Sequence, residues 1–192
     1  MNIHSISDRV LTFERRFEAP RDVVFALWTH PRHLIRWYGP RGHSLSQCEL
    51  DFQEGGTWRF CMNRGDEDVW VWGSYREIVA PEKLVFSHSM DWHRYETLVT
   101  LHFDDLGDGT TLMRFRQAEF RTLEDCADHH WGWHSALDVL ADYIIGLKGL
   151  GLLHPELYNQ DRRDGVAEDY AAAAASAAEE RRAEAESKKK VG

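Results

Sequence analysis

From Thr122 to about Leu147 the chain repeats one apolar pattern at helical spacing, for roughly seven turns. At 100° per residue Cys126, His130, Trp133, Leu137, Leu140, Ile144 and Leu147 fall on one stripe, with Asp128, Ser135 and Asp142 opposite. Thr122 is placed to cap the helix, and Glu124 and Asp125 suit the positive end of its dipole. Such a rod draws most of its stability from burying the stripe against another surface. The rest of the sequence has to supply that surface.

Upstream, the period of the apolar residues is two. SLSQCELDF (44–52) reads as a strand, Gly55-Gly56 as a turn, and TWRFCMN (57–63) as a strand with Trp58, Phe60 and Met62 on one face. VWVWGSYREIV (69–79) is large on both faces, and APEKLVFSHS (80–89) gives a proline turn and a further strand. YETLVTLHFDD (95–105) and TTLMRFRQAEF (110–120) flank LGDG, a hairpin signal. Before this meander, VLTFERRFEAP (10–20) predicts a strand, and Pro20 suits the first position of a helix. PRDVVFALWTH and PRHLIRWYG then predict two short helices, ended by Gly39-Pro40. The order predicted is strand, two helices, about six strands, one long helix. That is an α+β chain in which a curved antiparallel sheet of about seven strands wraps a helix, leaving a concave space between them.

Composition limits what such a chain can do. Of 192 residues 43% are apolar and eight are tryptophan, enough for a sizeable core. The formal charge is −9, and residues 161–192 hold eight carboxylates against seven Lys and Arg, so −8 belongs to residues 1–160. An acidic body repels nucleic acid. No stretch approaches a membrane span, so no membrane insertion is expected, and no early segment reads as a secretory signal. Three widely spaced cysteines fit a reducing, cytoplasmic setting better than a disulfide framework. Residues 1–150 are read as one domain and 151–192 as an extension, whose Ala/Glu/Arg/Lys-rich part (166–188) is predicted as a solvated helix or disordered tail.

Five stretches taken together resemble a known family: EAPRDVVFALWTHPRHLIRWYGP (18–40), ELDFQEGGTWRF (49–60), GSYREIVAPEKLVFS (73–87), LGDGTTLMRF (106–115) and HWGWHSALDVLADYI (130–144). In this order they resemble the START-like, helix-grip (SRPBCC) superfamily, in the branch named for the activator of the heat-shock-protein-ninety ATPase. One strand end departs from it: Gln117-Ala118-Glu119-Phe120 stands where members often carry His-x-Gly-Phe. The resemblance implies a seven-stranded sheet gripping the 122–148 helix around an apolar cavity that takes lipids, polyketides or aromatic metabolites. Some members of the superfamily are enzymes that catalyse cyclisation, and the branch's namesake contacts a chaperone.

Candidate site residues follow. HHWGWH (129–134) sets His130 and His134 four apart, a spacing found in zinc sites, and Cys126 or Asp138 would extend the pair. Ligands four apart drift about 40° per step, so Cys126 and Asp138 diverge by about 120°, and no HExxH motif supports a metal. The helix side is therefore read as a pocket wall, with no metal and no cofactor. The aromatic set Trp37, Trp58, Trp70, Trp72 and Trp133, with Phe60, Met62, Tyr75 and Leu137, reads as core, as cavity lining, or as both. Arg76, Glu77, His88, Arg114 and His130 are the polar groups that could orient a ligand, although arginines on strands commonly alternate outward. Phosphate-cradling and serine-hydrolase motifs are absent. The expected function is binding of a small apolar or aromatic molecule. The alternatives are a cyclase or hydrolase using His130 or Arg114, and an interaction module, with a protein partner or homodimer left open.

Overall fold

The computed structural model describes residues 4–7 and 9–159. In chain order the elements are β1 (His4–Ser7), β2 (Val10–Phe17), α1 (Arg21–Thr29), α2 (Pro31–Trp37), β3 (Ser44–Leu50), β4 (Thr57–Arg64), β5 (Glu67–Val79) and β6 (Lys83–Met90). They continue with β7 (His93–Asp105), β8 (Thr111–Ala118), α3 (Leu123–Gly149) and α4 (Pro155–Asn159). The predicted strand, helix pair, six-strand meander and long helix are all present. β1 is an additional strand, and the fold class is α+β as expected.

All strands lie in one antiparallel sheet of order β1-β2-β8-β7-β6-β5-β4-β3. Register shifts at Leu45/Gln47 and Tyr75/Glu77 set two residues against one, and a further irregularity lies at His88/Met90. Bulges of this kind bend the bulged strand and increase local twist, which suits a sheet that curls over α3. Gly73 makes a close approach possible: a Cβ there would stand 1.8 Å from the Ser87 carbonyl oxygen and 2.9 Å from Trp58 Cζ2. Only glycine fits that position.

Local chemistry accounts for the helix starts. Pro20 takes the cap position rather than the first helical one, and its carbonyl accepts from Val24 N–H at 3.0 Å. Pro31 sits at the start of α2, where its missing N–H costs nothing. Thr122 caps α3 as expected, its hydroxyl accepting from Asp125 N–H at 3.0 Å. On the inner face, Phe13 stacks on Phe115 with centroids 4.4 Å apart, and Phe25 meets Phe103 edge-on at 5.6 Å. Leu137, Leu140, Ile144 and Leu147 of α3 complete this core.

Past α3, α4 returns to the body. Tyr158 is buried against His33, with rings 5.2 Å apart. The predicted alanine-rich helix or tail lies outside the described residues.

Candidate functional site

The core is not filled along the whole of α3. Beside its first half lies a cavity of about 410 Å³. One wall is α3 itself, through His129, Gly132, Trp133 and Ala136. The Tyr38–Pro40 segment and His43, after α2, close one end, and the inner sheet face contributes Met62, Val69, Val71, His88 and Met90. Small residues make the room: a Cβ on Gly132 would meet nothing within 4 Å. Trp92 and Trp131, 59% and 63% exposed, stand on the rim with Arg64 and Asp128, whose charges are opposite.

The inner end is polar. His88 and His129, 4% and 8% exposed, meet edge-to-face with ring centroids 5.3 Å apart. His129 Nδ1–H donates to the Asp125 carbonyl at 2.9 Å, which assigns the proton to that nitrogen. His88 also packs against Trp58 and Trp133, at 5.7 and 5.8 Å. Trp133 is fixed by a buried chain. Its Nε1–H donates to Gln117 Oε1 at 2.8 Å, Gln117 Nε2 donates to Thr97 Oγ1 at 2.8 Å, and that hydroxyl donates to the His88 carbonyl at 2.9 Å. Gln117, at the strand end that departs from the family's pattern, thus positions an indole of the cavity wall.

A second, smaller void lies deeper, lined by Trp28, Leu34, Tyr38, Trp58, Phe60, Tyr75, Leu84 and Phe86. Tyr38 belongs to the walls of both. Burial holds the Tyr38 and Tyr75 phenols protonated, far above the usual tyrosine range.

The residues singled out in the sequence separate into groups. Met62, His88 and Trp133 line the main cavity, and Trp58, Phe60 and Tyr75 line the inner void. Trp37 is core, its Nε1–H donating to the Leu27 carbonyl at 2.8 Å, and Leu137 packs in the filled half of the interior. Trp70, Trp72, Arg76 and Arg114 lie away from the cavity, correcting their expected place in its lining. Trp70 and Trp72 alternate with the inward Val71, and the Arg59 guanidinium covers the Trp70 ring at 3.8 Å. Arg76 pairs with Glu96 at 2.9 Å, Arg114 with Asp104 at 2.8 Å, and Glu77 with Lys83 at 2.7 Å.

His130 is also corrected, since His129 takes the buried position in its place. Measured from Trp133, His129 lies about 40° to one side and His130 about 60° to the other. The cavity is on the His129 side, and His130 instead pairs with His134 at 4.4 Å, near Phe13 of β2. Asp138 is engaged by Arg15 at 2.7 Å, and Cys126 is core. Among the described residues no three His, Cys, Asp or Glu side chains are grouped to hold a metal. No helix among them is long and apolar enough to cross a membrane.

Sequence reasoning did not single out Tyr38, His43, Arg64, Trp92 or Gly132. Only the Tyr38-Gly39-Pro40 helix stop carried a local signal, and it marked a turn rather than a wall.

Comparison with known proteins supports this fold. Residues 18–144 match the family model described as "Activator of Hsp90 ATPase homolog 1-like protein". Among solved structures, a Rhodobacter sphaeroides protein is 23% identical, with TM-score 0.68, over 77% of this chain and 100% of that one. An AHSA1 protein from Silicibacter pomeroyi is 26% identical, with TM-score 0.64, over 71% and 97%. A protein from Arthrobacter aurescens is 23% identical, with TM-score 0.63, over 73% and 91%. No match was found among curated proteins.

Proposed function

The chain belongs to the family of activator of Hsp90 ATPase homolog 1-like proteins, and from that premise we propose that it binds a small, neutral, apolar or aromatic molecule beside the first half of α3. The observation that carries this reading is the cavity of about 410 Å³, walled by Trp133, Met62, Val69 and Val71 and closed inside by His88 and His129. Sites for small molecules have this size and this mix of apolar walls with a few polar groups.

Burial of apolar ligand surface, at roughly 25 cal/mol per Å², supplies the affinity. Stacking on Trp133 adds about 0.5–1.5 kcal/mol. His88 and His129 orient a polar substituent, and Trp92 and Trp131 cover the bound molecule from the rim. Charged ligands are disfavoured, because the wall offers no buried counter-charge and the rim pair Arg64 and Asp128 is of mixed sign.

Isothermal titration calorimetry with 2-isopropylnaphthalene, and separately with a medium-chain fatty alcohol, tests the reading. Saturable one-to-one binding of either, lost when Gly132→Leu fills the cavity, is the expected result. If neither binds saturably, the reading fails.

A further inference from the structure

The smaller void holds an unused set of hydrogen-bonding groups. It measures about 20 Å³ and is lined by Trp28, Tyr38 and Trp58 among apolar side chains. These three residues are 3%, 7% and 3% exposed. Trp28 Nε1, Tyr38 Oη and Trp58 Nε1 are all buried, and none has a hydrogen-bond partner among the described residues. One buried donor left unsatisfied costs about 1–3 kcal/mol. Three residues that line one void thus each carry a buried donor without an acceptor.

We propose that this void is a seat for a single acceptor oxygen, the carbonyl oxygen of an aryl ketone, quinone or enone whose ring system occupies the main cavity. The inference rests on the proposed ligand-binding reading and narrows its ligand class. Volume sets the first limit, since about 10–15 Å³ suffices for one water-sized atom and a ring system needs far more. Donor chemistry sets the second. Indole N–H groups donate only, and a tyrosine hydroxyl can donate as well. A carbonyl oxygen offers lone pairs and brings no hydrogen that needs a partner. Water would bring two, into a space otherwise walled by Leu34, Phe60, Leu84 and Phe86, where among the lining side chains the Tyr38 and Tyr75 hydroxyls are the only acceptors. A carboxylate is excluded because no cation lines the void. Position sets the third. Tyr38 borders both spaces, so a ligand in the outer cavity reaches the inner one beside its ring.

The test compares 2-acetylnaphthalene with 2-isopropylnaphthalene, which have similar shape and differ in the carbonyl. Calorimetry on the full chain should show the ketone binding at least about tenfold more tightly, the worth of one good hydrogen bond, although the hydrocarbon is the more apolar. Tyr38→Phe, the mildest deletion, should bring the ratio to within about twofold, and Trp58→Phe should lower it as well. On ketone binding the Trp28 and Trp58 indole N–H resonances should move downfield in ¹H–¹⁵N spectra, a response that loss of packing would not give. Equal affinities overturn this inference and leave the ligand-binding reading intact. If neither compound binds, this inference falls, and the ligand-binding reading falls with it only if the fatty alcohol fails to bind as well. If a crystal structure of the ketone complex keeps a water among the three donors and the carbonyl elsewhere, the seat belongs to water and the inference is wrong.

Discussion

The two halves of α3 bury the same stripe in different ways. From Leu137 to Leu147 the inward residues are Leu137, Leu140, Ile144 and Leu147, and all four are buried against the rest of the core. From Cys126 to Ala136 the inward set includes His129, Gly132, Trp133 and Ala136, and space remains beside them. Backbone and helical period are shared, so the difference is one of side-chain volume. Branched aliphatic residues fill the interior, whereas one large ring flanked by glycine and alanine leaves a gap with a stiff wall. One half holds the fold together and the other is available to a ligand.

Removing volume from the filled half should have the largest effect. Leu140→Ala is expected to cost about 2–5 kcal/mol in chemical denaturation, because Leu140 is fully enclosed. Its effect on ligand affinity should be slight. A variant that loses binding without losing stability would reverse the roles of the two halves.

Acid should come next, and it too should act on the filled half. His33 donates from Nδ1 to Tyr143 Oη at 2.9 Å, and its Nε2 accepts from Arg32 Nε at 3.0 Å, so the imidazole is neutral. Burial, with the neighbouring Arg32, His30 and Arg36 charges, lowers its pKa from 6.5 to about 3. The unfolded chain therefore takes up this proton first as pH falls. The associated stability is whole above pH 6.5 and declines toward pH 3. On the order of 3 kcal/mol should be lost between pH 6.5 and about 4. Melting curves across pH should show the decline, and His33→Gln should flatten it. An unchanged slope in the variant would remove His33 as its source.

The wall of the open half should respond more mildly. Gln117→Leu leaves the Trp133 indole N–H without its acceptor, at a cost of about 1–3 kcal/mol. It should also weaken binding of an aromatic probe by loosening the ring. Equal affinity in wild type and variant would mean that Trp133 needs no such support. The smallest stability change belongs to Gly132→Leu, where replacing glycine favours the helix by up to about 1 kcal/mol. That variant should melt no lower than wild type while losing the cavity. A clear drop in melting temperature would show that the space is not open there.

Much of the fold was legible in the sequence, but the division of α3 into a filled and an open half was not. The change of period from two to 3.6 marked the meander and α3, and Trp58, Phe60 and Met62 were placed on the inner face because their strand alternates with smaller or polar neighbours. Strand β5 gave no such contrast: Trp70 and Trp72 are larger than Val69 and Val71 yet face outward, where Arg59 covers one of them. β1 has a single aliphatic residue among four, too little for a periodic signal. The exchange of His130 for His129 arises because a stripe drawn on a wheel does not say which flank meets open space. Tyr38, His43 and Trp92 reach the cavity only through the packing of loops, which no local spacing encodes.

The most direct measurement is a ¹H–¹³C and ¹H–¹⁵N map of the full chain titrated with 2-isopropylnaphthalene. Saturable shifts are expected at the Met62 methyl, the Val69 and Val71 methyls and the Trp133 indole, with the Leu140 and Ile144 methyls unmoved. Shifts centred on Leu140 and Ile144, or none at Trp133 and Met62 at saturating probe, would contradict it.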